Sequence, residues 1–356
     1  MPTPKIKALL APGASGSLIG CLKEPRKSLG LLRRRLAERR RILDRKDEEI
    51  ARLRAELAQK RGGGYGIEPE DVIWIFATAR SGTTWLGDMM DEMPDHARWN
   101  EPLVGALLGY FYYDRAAHRA DKASKNFILG NHYKETWREP VRSLILGGAA
   151  ARFPEVVGGG HLVIKEPNGS IGAPLVMEAL PESRMILLTR DPRDVVASSM
   201  DARKAGSWLY ERRRKQGRRW TNRSQEVVSE KEMNAYAKSL AKSYLQSVGN
   251  AKKAYDAHKG PKTLVRYEDL RADTLGAMKR LYEEIGIPVD REELSRAVEK
   301  HSWENIPEDQ KGEGKFYRKA SPGGWREDLT PEQIMIVEKA TGSRLEEFYP
   351  ERGASG

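Results

Sequence analysis

The stretch from Asp71 to Glu92, DVIWIFATARSGTTWLGDMMDE, constrains the fold more than any other part of the chain. It opens with an apolar, β-rich run, Val72–Ala77, which has the length of a buried strand. A loop of small and polar residues follows, and apolar side chains then recur at helical spacing. Strand, loop and helix in this order suit a phosphate-like group, because a helix N-terminus offers unpaired N–H groups and a positive dipole end. The residues predicted to face such an anion are Arg80, Gly82, Thr83 and Thr84.

This loop resembles a nucleotide-binding P-loop and departs from it at two positions. The P-loop pattern G-x-x-x-x-G-K-[ST] requires a first glycine and a lysine. Here Ala77 occupies the position of the first glycine, and Thr83 occupies that of the lysine. Taken alone, the loop therefore also fits an ordinary strand-to-helix turn that happens to contain an arginine.

Charge and cysteine content exclude several classes of protein. The formal net charge is +11 over 356 residues, but residues 1–61 hold 17 Lys/Arg and 7 Asp/Glu and so account for nearly all of it. The near-neutral remainder indicates an enzyme rather than a nucleic-acid coat. The single cysteine argues against a disulfide framework or a cysteine-rich metal site, and the six histidines show no metal-binding spacing. No apolar run is long enough to predict a membrane-spanning helix.

The sequence predicts five segments. They are a disordered N-terminus (1–22), a basic heptad-repeat helix (23–61), a glycine-rich linker (62–66), a folded domain (67–350) and a tail (351–356). Leucine or isoleucine recurs at every seventh residue from Leu22 to Leu57, which predicts a coiled coil that joins two or more copies. Because the second apolar position of the heptad is only partly filled, a single charged helix is the alternative.

Several later β-type runs end at charged residues. A short strand is expected before Glu101, a second ends at Lys165, and a third ends at Arg190. Open α/β sheets bind ligands at the carboxyl ends of their strands, so Lys165 is predicted to lie at a ligand-binding edge, and Arg190 and Ser198 are predicted to share one crevice. Glu101 taken alone, before a proline, is typical of a solvated loop residue. The helical stretches between the strands predict an α/β fold with a mainly parallel sheet that helices cover on both faces.

Two basic segments remain outside this pattern. Residues Arg203–Arg223 carry nine Lys/Arg against one acidic residue, which predicts a solvated loop or a mobile flap that attracts an anion. The segment Phe316–Trp325 is basic and glycine-rich, and a closing helix is predicted over Thr330–Thr341.

Together these motifs resemble the sulfotransferase family, which uses 3′-phosphoadenosine 5′-phosphosulfate as its donor. The resemblance extends over roughly residues 71–350. The sequence Arg80-Ser-Gly-Thr-Thr-Trp85 is similar to the family loop that cradles the 5′-phosphosulfate, and Arg190 with Ser198 reproduces the spacing of its 3′-phosphate motif. The late family motif R-K-G-x-x-G-x-W resembles residues 318–325, except that Ala320 replaces the first glycine. The donor-binding residues that this resemblance implies are Arg80, Ser81, Gly82, Thr83, Thr84, Trp85, Arg190, Ser198, Tyr267, Arg318, Lys319 and Trp325.

The resemblance also implies a catalytic base. The cytosolic branch has a histidine two residues after the strand-end lysine, but this chain has Pro167 there. The protein-tyrosine branch has a glutamate 21 residues after the loop arginine, and Glu101 matches it. The resemblance therefore implies Glu101 as the base, with Arg80 and Lys165 stabilising charge, and Glu166 as the next candidate for the base.

The resemblance thus implies an α/β, P-loop-like enzyme that transfers a sulfuryl group in line to a hydroxyl without a metal. The acceptor stays open among a carbohydrate, a lipid, a phenol and a tyrosine. A bacterial cytoplasmic location is expected; lipoprotein export through Cys21 is the less favoured alternative. The competing functions are a P-loop nucleotide kinase or NTPase and a non-enzymatic basic coiled-coil adaptor. Nucleic acid is not expected as a partner.

Overall fold

A computed structural model describes residues 65–115, 122–204, 206–215 and 229–349, together with helical residues 35, 37–42, 45, 46 and 49. The described residues between 35 and 49 are helical and exposed. The predicted coiled coil and its heptad seam are not established by them and stay a prediction. The predicted disordered segment 1–22, the linker except Tyr65 and Gly66, and the tail 351–356 lie outside the described residues.

A five-stranded parallel sheet forms the centre of the described domain. Its strands are β1 (Val72–Phe76), β2 (His96–Asn100), β3 (His161–Lys165), β4 (Arg184–Thr189) and β5 (Lys262–Arg266). They are arranged in the order β2-β3-β1-β4-β5, and every neighbouring pair is parallel. All five residues of β1 are buried, as its apolar sequence predicts. The carboxyl ends of the strands consequently share one edge.

Helices connect and cover these strands. Their bounds are α1 (Thr83–Asp91), α2 (Val104–Gly109), α3 (Lys134–Arg152), α4 (Ala173–Ala179), α5 (Pro192–Asp201), α6 (Trp208–Lys215), α7 (Glu230–Ala257), α8 (Tyr267–Ala272), α9 (Thr274–Glu284), α10 (Arg291–Lys300), α11 (Trp325–Asp328) and α12 (Pro331–Phe348). A π-helical turn, Tyr110–Arg115, continues α2, and a 3₁₀ helix, Pro167–Gly172, follows β3.

Alternate side chains of β1 enter two separate hydrophobic cores. Val72, Trp74 and Phe76 pack in the core that includes residues of α3, α4 and α7. Ile73 and Ile75 pack in the opposite core with residues of α1, α9 and α10. Because successive strand residues point to opposite faces, this alternation places helices on both sides of the sheet. The predicted α/β fold with a doubly covered parallel sheet is therefore confirmed.

Two predicted elements differ from the structure. The segment 203–223 is not simply a loop, because residues 208–215 form α6, where Trp208 packs its ring against Phe316. The last helix continues to Phe348 rather than ending at Thr341, and a capping box between Thr330 and Gln333 begins it. Across the described ranges, no helix combines the length and apolarity that crossing a membrane requires.

Candidate active site

A cavity of about 500 Å³ lies at the carboxyl edge of the sheet. Residues that follow β1, β2, β4 and β5, and Lys165 at the end of β3, line it, as the parallel topology requires. Of the predicted site residues, the structure brings the following to its wall: Arg80, Gly82, Thr83, Thr84, Trp85, Glu101, Lys165, Arg190, Ser198, Tyr267, Arg318 and Lys319. Ser81 and Trp325 are both buried and lie outside the lining that the described residues define.

The loop between β1 and α1 has a backbone that favours glycine at its turn. Gly82 precedes α1 with a φ of 90°, and a Cβ at this position would lie 2.6 Å from Cδ2 of Tyr267. Arg80 also has a positive φ, of 72°. Such left-handed conformations cost energy at non-glycine residues and are held only by their surroundings. The buried Ser81 shares a hydrogen bond of 2.7 Å with Thr78, so its hydroxyl contributes to the shape of the loop.

Arginine side chains from two loops form a cationic cluster beside the start of α1. The Arg80 guanidinium donates to the hydroxyl of Ser198 over 3.0 Å, and Arg190 donates to the carbonyl of Arg80 over 2.9 Å. Burial and the neighbouring charges of Arg190 and Arg318 lower the pKa of Arg80 to about 10. The buried Nε of Arg190 has no hydrogen-bond partner among the described residues. Crowded cations are suited to an anion with several oxygens, such as a phosphate.

Glu101 lies on the other side of the cavity and is held from two directions. Nζ of the buried Lys165 is 3.0 Å from one carboxylate oxygen of Glu101 and 3.2 Å from the hydroxyl of Thr84. The side-chain amide of Asn168 donates to the other oxygen over 2.7 Å. Glu101 itself has a φ of 53°. Sequence reasoning missed Asn168; its position three residues after Lys165, beyond Pro167, was the available signal.

Glu166 occupies a different environment from Glu101. Its side chain is buried, does not line the cavity within the described residues, and accepts a 3.1 Å hydrogen bond from the backbone N–H of Gly105 at the start of α2. Burial raises the pKa of Glu166 to about 7, although hydrogen bonds from backbone N–H groups oppose the shift. Of the two carboxylates, only Glu101 is therefore placed where a substrate in the cavity can reach it.

Aromatic rings line the cavity near the end of β5. The rings of Trp85 and Tyr267 meet edge to face at 6.2 Å, and the Arg190 guanidinium lies 4.3 Å from the Tyr267 ring centre. The indole N–H of Trp85 donates to the carbonyl of His301 over 2.8 Å, which holds the ring in place. The guanidinium of Arg271, which the sequence reasoning missed, lies 5.7 Å from the Trp85 ring centre. This part of the cavity is suited to stacking on a flat heterocycle.

The late basic loop is attached to α5 through Asp194. The carboxylate of Asp194 accepts hydrogen bonds from the backbone N–H groups of Gly323 (2.8 Å) and Trp325 (3.0 Å). The Arg193 guanidinium lies 4.0 Å from the Trp325 ring centre, so the tryptophan supports the loop in this structure. Ala320 has a φ of 48°, a conformation that glycine adopts more readily. In the described ranges, no cluster of three or more His, Cys, Asp or Glu residues could hold a metal ion.

Comparisons with known proteins agree with the motifs. A family model described as "Sulfotransferase domain" matches residues 173–349. The chain is 27% identical over 214 residues to cytosolic sulfotransferase 17 of Arabidopsis thaliana, covering 52% of this chain. Both matches cover about half of this chain, which is similar to sulfotransferases over residues 173–349. The match to the plant sulfotransferase spans 57% of that protein's length.

Solved sulfotransferase structures are also similar to this chain. Mouse sulfotransferase SULT7A1, complexed with PAP, has 15% identity and a TM-score of 0.49, with 80% of this chain and 87% of that chain covered. Sulfotransferase STF9 from Mycobacterium avium has 15% identity and a TM-score of 0.46, with 87% of this chain and 85% of that chain covered.

Proposed function

We propose that this chain is a sulfotransferase that moves a sulfuryl group from 3′-phosphoadenosine 5′-phosphosulfate to an acceptor hydroxyl. The observation that carries the proposal is the cluster of Arg80, Arg190 and Ser198 beside the N-terminus of α1. It offers positive charge and a hydroxyl on the wall of a cavity that also contains Glu101. A doubly phosphorylated nucleotide supplies the anions that such a cluster favours.

In this proposal, each part of the cavity binds one part of the donor. Thr83, Thr84 and the free N–H groups at the start of α1 hold the 5′-phosphosulfate. Arg190 and Ser198, together with Arg318 and Lys319, hold the 3′-phosphate. The aromatic region of Trp85 and Tyr267 holds the adenine. A charge-assisted hydrogen bond contributes about 1.5–3 kcal/mol and a stacked base about 1–3 kcal/mol, so the phosphate contacts and the adenine contact both contribute to affinity.

Transfer then follows from the position of Glu101. Glu101 accepts the proton of the acceptor hydroxyl as that oxygen bonds to sulfur. The bond from sulfur to the bridging phosphate oxygen breaks in line, and 3′,5′-adenosine bisphosphate leaves with that electron pair. Lys165, 3.0 Å from Glu101, and Arg80 stabilise the negative charge on the transferred group and on the departing phosphate. Protein cations thus supply charge stabilisation that a metal ion would otherwise provide.

Calorimetric titration with 3′,5′-adenosine bisphosphate, 5′-AMP and ATP with magnesium tests the donor assignment. We expect tight binding of the bisphosphate and weak binding of the other two. Preference for ATP with magnesium would favour the nucleotide kinase, and binding of none of the three would favour the basic coiled-coil adaptor. The match of residues 173–349 to the sulfotransferase-domain model favours neither alternative.

Replacing Glu101 by glutamine tests the catalytic base. Glu101→Gln keeps the size of the side chain, so bisphosphate affinity should stay within about threefold while transfer from ³⁵S-labelled donor falls by about 100-fold or more. Glu155→Gln is the control, because Glu155 is exposed and lies outside the described cavity wall. If Glu101→Gln turned over normally and Glu166→Gln did not, the roles assigned to the two carboxylates would be reversed.

A further inference from the structure

Asp328, the last residue of α11, holds two of the cations that line the cavity. One oxygen of its carboxylate is 2.5 Å from Nη1 of Arg318, and the other is 3.0 Å from Nζ of Lys319. The Arg318 side chain is only 8% exposed. Although burial opposes ionisation, hydrogen bonds from both cations lower the pKa of Asp328 below its ordinary value. The three residues therefore form a charged unit at the cavity wall.

Asp328 leaves most of the hydrogen-bonding capacity of these cations available. A guanidinium carries five N–H donors, and Asp328 contacts Arg318 through Nη1. Lys319 contacts Asp328 and Glu327 and has three N–H donors. The carboxylate can consequently orient both side chains while a ligand anion takes the remaining donors.

The segment that carries Asp328 is itself fixed. Asp194 binds the backbone of Gly323 and Trp325 just before it. Directly after the two cations, Arg271 donates to the carbonyl of Ala320 over 3.1 Å. Because the backbone between Lys319 and Asp328 is held at Ala320, Gly323 and Trp325, Asp328 can hold Arg318 and Lys319 in one orientation. Long side chains lose rotamer freedom when they bind a ligand, and prior orientation removes part of that cost.

We infer that Asp328 is a positioning residue that directs Arg318 and Lys319 toward the 3′-phosphate and thereby sets the preference for a 3′-phosphorylated nucleotide. This inference rests on the proposed donor site. Asp328 acts through the two cations and touches no reacting atom. Replacing Asp328 should therefore change the affinity for nucleotides that carry a 3′-phosphate and leave the affinity for nucleotides without one unchanged.

Calorimetric titration of the full chain with 3′,5′-adenosine bisphosphate and with 5′-AMP, at one salt concentration, tests this inference. In Asp328→Asn we expect bisphosphate affinity to fall by about ten- to a hundredfold, the range of one charge-assisted contact, and 5′-AMP affinity to stay within about twofold. The matched control is Glu327→Gln, which removes a carboxylate that contacts only Lys319 among the described hydrogen bonds. The affinity of this control variant for either nucleotide should change by less than about threefold.

A double-mutant cycle separates positioning from a general structural effect. If Asp328 acts mainly through Arg318, adding Asp328→Asn to the Arg318→Ala variant should lower bisphosphate affinity little further. If Asp328→Asn lost equal affinity for both nucleotides, the role of Asp328 would be structural. If the variant bound the bisphosphate more tightly, the carboxylate would compete with the ligand. Either result overturns the inference. A wild-type chain that binds both nucleotides equally would instead overturn the 3′-phosphate site itself, and the inference with it.

Discussion

The buried carboxyl of Glu166 makes a quantitative prediction about stability. Burial raises its pKa from the ordinary value of 4.5 to about 7, although one oxygen accepts a hydrogen bond from Gly105, which opposes the shift. The other oxygen, Oε2, has no partner among the described residues. Between these pH values the folded protein binds a proton that the unfolded chain has released. The stability that this group contributes is therefore complete below about pH 4.5 and is lost as the pH rises through about 7.

The size of the effect follows from the two values. A pKa difference of about 2.5 between the folded and unfolded states corresponds to roughly 3 kcal/mol in the free energy of unfolding. Glu166→Gln keeps a side-chain oxygen that can accept from Gly105 and removes the titration. The stability of this variant relative to the wild type should therefore increase by roughly 3 kcal/mol between pH 4.5 and pH 8.

Urea unfolding at half-unit pH steps, followed by tryptophan fluorescence and by circular dichroism, measures this difference. Coincident transitions by the two probes would support two-state analysis. The exposed Glu155→Gln should show no such pH-dependent difference from the wild type. A constant difference between Glu166→Gln and the wild type across the range would refute the reasoning, because it would mean that Glu166 is ionised in the folded protein.

Two further substitutions test the phosphate loop and the adenine region. Gly82→Ala should destabilise the fold by about 1–3 kcal/mol more than Gly158→Ala. Both positions have a φ near +90°, but only at Gly82 would a Cβ meet Tyr267. Equal urea midpoints for the two variants would contradict this prediction. Trp85→Ala should lower the affinities for the bisphosphate and 5′-AMP together by about ten- to a hundredfold. Trp85→Phe keeps a smaller stacking ring and loses the hydrogen bond to His301, so calorimetry should show a smaller loss of affinity than for Trp85→Ala. Equal losses in the two variants would exclude stacking.

Much of the fold could be predicted from local sequence. The apolar runs that became β1, β3 and β4 have the length of buried strands, and the residues after them change abruptly to small or charged types. These properties depend only on neighbours in the chain. Parallel topology then places the ends of the strands at one edge, which is why the cavity contains Glu101, Lys165 and Arg190 as predicted.

The remaining features depend on contacts between segments that are far apart in the sequence. No local pattern distinguishes Glu101 from Glu166 as cavity-facing or buried, because that depends on how α2 packs on the 3₁₀ helix after β3. Likewise, Asn168 beside Glu101 and Asp328 beside Arg318 become visible only when side-chain directions are known. The sequence by itself therefore determined the strand-loop-helix order and the residue types of the site. Only the tertiary structure decided which charges face the cavity, since burial and pairing arise from packing between distant segments.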